Sequence, residues 1–219
     1  MADLTLAPLP KGRHSLTREQ VADAQRLRLA VAMADAMVEG GYVGTPVAAI
    51  LKRAGVSRET FYQLYDDKLA CFLDALDLAG EVLVTQLAGT AGGTGDPLTR
   101  AERAIEQYLA TIVEHAAFAR LFLVEVHAAG PVAMRRRADL QARVVDALAD
   151  LVGARTQAAR FACQAFVAAI ASLVTLPIAT GDLDAVAALR RPLVELLRTQ
   201  LVNQGRGRGP RVRGTTRSR

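Results

Sequence analysis

The side chains best suited to recognition chemistry crowd into one stretch, Thr45 to Lys68. Arg58, Glu59, Thr60 and Gln63 lie on the first turns of a short helix that Ser57 caps. A guanidinium can grip guanine O6 and N7 through two parallel donors; a carboxamide can do the same on adenine, and a carboxylate can accept from cytosine N4. Tyr62 and Lys68 carry donors suited to phosphate oxygens, contacts that fix docking register without reading sequence. Thr45 and the backbone N–H groups behind it form a helix N-terminus, a seat for a phosphate, and Ser57 is counted among the DNA-facing residues. This is non-covalent chemistry. The chain has no glycine-rich phosphate loop, no His-Glu-x-x-His and no Gly-x-Ser-x-Gly, so neither an enzyme nor a cofactor is expected. His115 and His127 stand near Glu114 and Glu125 but on separate helical faces without ligand spacing, so no metal site is expected either.

Two helices joined by a tight turn must position these groups. Thr45 is the expected cap of the first, with Pro46 at the first helical position, where a missing N–H costs nothing. Val47, Ile50, Leu51 and Ala54 form its apolar stripe. Gly55 can take the left-handed conformation that ends a helix. Phe61 and Leu64 recur at helical spacing and can pack back on the first helix. The pattern is a helix-turn-helix, whose second helix enters the DNA major groove. An earlier helix, opened by Thr17 with Gln20 as capping-box partner and ended by Gly40-Gly41, completes a three-helix unit.

Gly40-Gly41-Tyr42, Thr45-Pro46-Val47, Ala54 through Tyr62 and the Tyr65-Asp66-Asp67-Lys68 run together resemble the N-terminal domain of the tetracycline-repressor (TetR) family of transcriptional regulators, from about Gln25 to Leu76. The resemblance implies an all-α homodimer of about nine helices per chain, with an N-terminal domain on a palindromic operator and a variable C-terminal domain holding a small ligand and the dimer interface. It implies that Tyr62, Lys68, Thr45 and Thr60 touch phosphates while Arg58, Glu59 and Gln63 face bases. It also implies that the last two helices pair with those of a second subunit. Leu51 departs from the pattern, standing where the family usually has a small alanine. Leu64 departs too, where a polar or aromatic residue is common.

Composition sets bounds on this reading. The 219 residues are 51% hydrophobic, which supplies a sizeable core. The net charge of +5 is misleading: six arginines lie between Arg206 and Arg219, and without them 21 basic face 22 acidic residues. DNA binding must therefore rest on local placement of Lys52, Arg53 and Arg58 rather than on overall charge. Cys71 and Cys163 share no metal-ligand spacing and read as small buried hydrophobes. The stretch 161–181 has the length of a membrane span and no charged residue. Polar residues and many alanines dilute it, so a buried bundle helix and no membrane partner are expected. No basic-then-apolar leader opens the chain, so a cytoplasmic location is expected.

Four segments follow. Residues 1–15 read as a flexible arm, 16–68 as the helix-turn-helix domain, 69–203 as a helical ligand-binding and dimerisation domain, and 204–219 as a disordered Gly/Arg-rich tail. A glycine-rich loop is expected over 88–97, and a kink at Pro192. Arg135-Arg136-Arg137 reads as a solvated face. Tyr108, Ile112, His115, Phe118, Phe122, Val126, Phe161 and Phe166 are the candidates to line a mostly apolar pocket with a few polar tips. The functional expectation is a regulator, more a repressor than an activator, released from its operator by a hydrophobic or amphipathic small molecule. The alternative is a small-molecule-binding or interaction protein of the same fold with weak or no sequence-specific DNA binding.

Overall fold

The computed structural model describes residues 17–91 and 95–206. The expected arm, and the expected tail from residue 207 on, lie outside the described residues. Among the described residues every regular element is helical: α1 (Arg18–Gly44), α2 (Val47–Ala54), α3 (Arg58–Leu64), α4 (Lys68–Ala91), α5 (Pro97–Glu114), α6 (Ala116–Arg120), a π-helical turn (Leu121–Glu125), α7 (Val126–Ala129), α8 (Pro131–Val152), α9 (Gln157–Thr180), α10 (Leu183–Ala188) and α11 (Arg190–Arg206). Residues 116–129 run as one rod through the π turn, and 183–206 as one broken rod. Counted so, the rods number nine, matching the all-α expectation.

Local chemistry explains most helix ends. Thr17 Oγ1 accepts the Gln20 N–H and Gln20 Oε1 accepts the Thr17 N–H, the expected capping box. Asp96 accepts the Leu98 and Thr99 N–H groups ahead of Pro97, Thr156 accepts that of Ala159, and Asp182 that of Ala185. Asp67 does the same for α4 by accepting the Ala70 N–H. Helix α4 continues to Ala91, so the glycine loop expected from residue 88 is shorter than its composition suggests. Pro192 produces no interior kink. The chain breaks at Leu189 and restarts at Arg190, which puts the proline in the first turn of α11, where its N–H is not needed. That helix also runs to Arg206, three residues into the stretch expected as tail.

One hydrophobic core joins both halves of the chain. Leu29, Met33, Met37, Ile50, Phe61, Phe72 and Leu76 are fully buried in the same cluster as Leu121, Val126, Val174, Val186 and Leu193. Helix α4 crosses from the N-terminal unit to α8, where Arg136 grips Asp77 and Arg143 reaches Glu81 at 2.6 Å. Arg198 pairs with Glu102 at 2.7 Å, linking α11 to α5. The apolar helix α9 is not the wholly buried rod expected. Phe161, Leu173 and Leu176 stand 67%, 48% and 70% exposed, so one face of it is apolar and uncovered in a single chain.

Candidate nucleic-acid interface and ligand cavity

Helix α3 has seven residues, too few to hold its shape alone. Two features fix it. Ser57 accepts the Thr60 N–H at 3.0 Å, and its hydroxyl lies 2.9 Å from that of Thr60. Phe61 is the one α3 side chain that is fully buried, set edge-on against Tyr62 and tilted against Tyr65. Anchoring Phe61 turns Arg58, Glu59, Tyr62 and Gln63 outward, all exposed, with Thr60 half-buried between them. Gln63 reaches back to Glu59 at 3.5 Å, one turn away. Leu64 is half-buried against the core, so it packs rather than facing outward.

The turn before α3 is held from α1. Gly55 sits at φ 61°, ψ 38°, a conformation that favours glycine, and donates its N–H to Leu51. The Arg28 guanidinium donates to the Ala54 carbonyl and, at 3.4 Å, to that of Gly55. Leu51, the departure from the family pattern, is accommodated in the core at 9% exposure.

Two expected phosphate contacts have a different local role. Thr45 does not cap α2; Pro46 occupies the cap position without a side-chain bond. Thr45 is 2% exposed and its hydroxyl donates to the carbonyls of Gly41 at 2.7 Å and Ala36 at 3.2 Å. Its side chain therefore faces inward, and the expectation that it presents a hydroxyl to a phosphate gives way. Lys68 donates to the carbonyls of Tyr42 at 2.7 Å and Thr45 at 3.1 Å and lies 4.2 Å from the Tyr42 ring centroid. An ammonium has three protons, so one remains for a phosphate. Burial pulls the Lys68 ammonium below its usual pKa. Tyr42 packs edge-on to Phe72 at 5.1 Å.

A small, partly open apolar cavity of ≈ 30 Å³ lies between α4, α5 and the 116–129 rod. Of the candidates, Tyr108, Ile112, His115, Phe118 and Phe122 line it. The α4 contributions, Leu78, Ala79, Val82 and Leu83, were missed, because their spacing reads equally well as ordinary core. Three candidates lie elsewhere. Val126 is wholly buried in the core, and Phe161 stands on the outer face of α9. Phe166 lines a second cavity of ≈ 40 Å³ with Val144 and Ile170. Tyr108 is common to both cavities. Burial pushes its phenol up to about 12.

The basic run on α8 is not a uniform solvated face. Arg135 is exposed and Arg136 is paired with Asp77, but Arg137 is half-buried, its guanidinium 5.6 Å from the Phe122 ring centroid. No group of three or more His, Cys, Asp or Glu side chains placed to hold a metal occurs among the described residues.

Residues 30–75 match the family model described as bacterial regulatory proteins, tetR family. Among curated proteins none matches the chain. The structure is similar to the fatty acid degradation regulator FadR from Bacillus halodurans, with a TM-score of 0.69 at 16% identity, covering 78% of this chain and 96% of that one. It is similar to FadR from Bacillus subtilis, solved in complex with stearoyl-CoA, with a TM-score of 0.68 at 16% identity and the same coverage. A transcriptional regulator from Rhodococcus sp. Rha1 gives 0.63 at 23% identity, over 78% of this chain and 94% of that one. At these identities the likeness shows a shared fold.

Proposed function

We propose, from the tetR-family helix-turn-helix domain that residues 30–75 carry, that this protein is a cytoplasmic, homodimeric, ligand-responsive regulator of transcription acting chiefly as a repressor. The observation that carries the reading is α3: a capped helix anchored by Phe61 that presents Arg58, Glu59 and Gln63 to solvent on adjacent turns. These three read base edges, and Ser57, Thr60, Tyr62 and the free proton of Lys68 hold phosphates. Residues 16–68 act as the DNA-reading domain and 69–203 as the effector and dimerisation domain.

The effector enters the cavity beside Tyr108, Ile112, His115, Phe118 and Phe122. At ≈ 30 Å³ the space is far below the roughly 300–1,000 Å³ of a small-molecule site, so an effector binds a state in which the surrounding helices have parted. That differential affinity is what allows a ligand to shift the population away from the DNA-competent form. The stearoyl-CoA of the Bacillus subtilis relative supports an acyl-chain effector of comparable shape. The exposed apolar face of α9, with α11 beside it, pairs with its copy in the second subunit and sets two recognition helices about 34–36 Å apart.

The decisive experiment is selection of bound duplexes from a random pool by the full chain, followed by sequencing. A palindrome with half-sites about one helical turn apart is expected; no enrichment even at low salt would overturn the reading. One observation favours the alternative, a protein of this fold with weak DNA binding. Arg53 is paired with Glu39 and Lys68 with two carbonyls, which leaves few uncommitted cations near α3. A steep loss of affinity with added salt separates phosphate contacts from that case.

A further inference from the structure

Helix α8 carries a set of arginines whose fates differ. Arg136 is gripped by Asp77, and Arg143 by Glu81, so both guanidinium groups have a carboxylate on α4. Arg137 has none. It lies half-buried, its Nε enclosed without a hydrogen-bond partner, and no ion pair forms to it among the described residues. The guanidinium lies 5.6 Å from the Phe122 ring centroid, and the Tyr108 phenol opposes the lowering that burial imposes on it.

A half-buried guanidinium with one N–H enclosed and unpartnered, and no counter-charge, favours an anionic partner. Here the missing partner has a natural place. Phe122 and Tyr108 both line the cavity against α4, and Tyr108 also lines the second cavity, with Phe166 and Ile170. Displacing Tyr108 would join the two into one elongated apolar space with a single unpaired guanidinium beside it. The other polar lining groups of the first cavity, Thr111 and His115, bear no fixed positive charge, and Thr111 already donates to the Gln107 carbonyl at 2.8 Å.

We propose that Arg137 receives the head group of an anionic amphiphile, whose aliphatic or aromatic body lies along the joined cavities beside Tyr108 and Phe122. The guanidinium fork matches a carboxylate or a phosphate equally. The proposal rests on the reading of this cavity as the effector site. Arg137 is then what distinguishes an acid or a phosphate-bearing thioester from a neutral lipid of the same chain length.

Calorimetric titration of the 219-residue protein with dodecanoate, dodecanoyl-CoA and dodecanol tests this. At least one anionic probe is expected to bind more tightly than dodecanol. R137Q is expected to weaken that probe at least about tenfold, the range of a charge-assisted hydrogen bond, while leaving dodecanol unchanged. Loss of dodecanoate alone identifies a carboxylate head, and loss of the thioester alone a phosphate. Equal affinity of the anionic probes for R137Q and wild type would overturn the proposal, as would tighter binding of dodecanol by the wild type. No binding of any probe to the wild type would overturn it too, with the DNA reading left to its own assay. A119F, which fills the cavity, separates the underlying reading: if it leaves binding intact, the site is elsewhere. Thermal melting controls for folding, since R137Q removes no ion pair and is expected to melt no lower than wild type.

Discussion

Glu125 and Tyr42 meet where the N-terminal unit rests on the helical body: the Glu125 carboxylate accepts the Tyr42 backbone N–H at 2.7 Å. Its other oxygen accepts from Arg120 Nε at 3.0 Å, and Arg120 donates onward to the Ala179 carbonyl in α9 at 2.9 Å. The π turn makes this possible. Its i to i+5 bonding stacks residues five apart, which brings Arg120 and Glu125 to one face. From the other side Lys68 donates to the Tyr42 carbonyl, so the peptide groups on both sides of the Tyr42 Cα are clamped. Gly41 completes the fit. It takes φ 62°, and a Cβ there would stand 3.1 Å from Glu125 Oε2.

Removing the carboxylate should therefore cost more than a surface ion pair would. Glu125 is 5% exposed, and E125A leaves Arg120 Nε and the Tyr42 N–H without their acceptor, Arg120 keeping only its bond to the Ala179 carbonyl. The expected loss is about 2–3 kcal/mol, from the cost of leaving buried partners unpaired. E125Q keeps an acceptor for Tyr42 and should lose less. Urea midpoints at unchanged m-value measure both, and an E125A midpoint equal to wild type would show that the clamp does not hold the two units together.

The exposed side chains of α3 divide into two kinds of expected effect. R58A should change base preference at one half-site position by about 1–3 kcal/mol. Q63A should do likewise at another. Y62F should weaken binding to every sequence by a similar factor, because a phosphate contact carries no sequence information. Competition of selected against scrambled duplexes separates these outcomes. An unchanged preferred site and affinity for R58A would remove Arg58 from the base-reading set.

The helix pair around Gly55 was legible because its signals are local: a glycine turn, the Ser57 cap, and an apolar stripe at helical spacing. Thr45 was misread because a hydroxyl just before a proline-led helix looks like a cap, whereas its bonds go back to Ala36 and Gly41. Nothing local foretells that return. The cavity was half legible for the same reason. Tyr108, Ile112 and His115 share one helical face, but the α4 wall is defined only by the crossing of distant helices. Arg137 looked like its neighbours in an arginine run, and tertiary packing alone separates it from Arg136.

Both cysteines should be inert in the folded protein. Burial pushes the Cys71 thiol up to about 12, and raises that of Cys163 as well. A folded-state pKa above the unfolded one means that the native form holds its proton longer. The stabilisation is thus complete below about 9 and lost as pH rises toward 12. Titration with a thiol reagent at pH 8 is expected to label neither residue until urea unfolds the chain. Rapid native labelling of Cys71 would contradict its enclosure.

The uncovered face of α9 carries the last prediction. The helix has 24 residues, and an 18-residue window within it has a mean hydropathy of 2.0, enough for a membrane span by length and composition alone; about a third of that window is buried within the chain. Leu176 is 70% exposed there, so replacing it should cost the isolated fold little. If the face is closed by a second copy, a glutamate at this site places two carboxylates near a symmetric apolar contact, where burying a charge without a partner is unfavourable. L176E is therefore expected to run as a monomer by light scattering at concentrations where the wild type is a dimer. It should also lose affinity for a two-half-site operator while keeping its helical circular dichroism. A variant that remains dimeric would move the subunit contact off this face. A wild type extracted only by detergent would instead mean that α9 meets lipid.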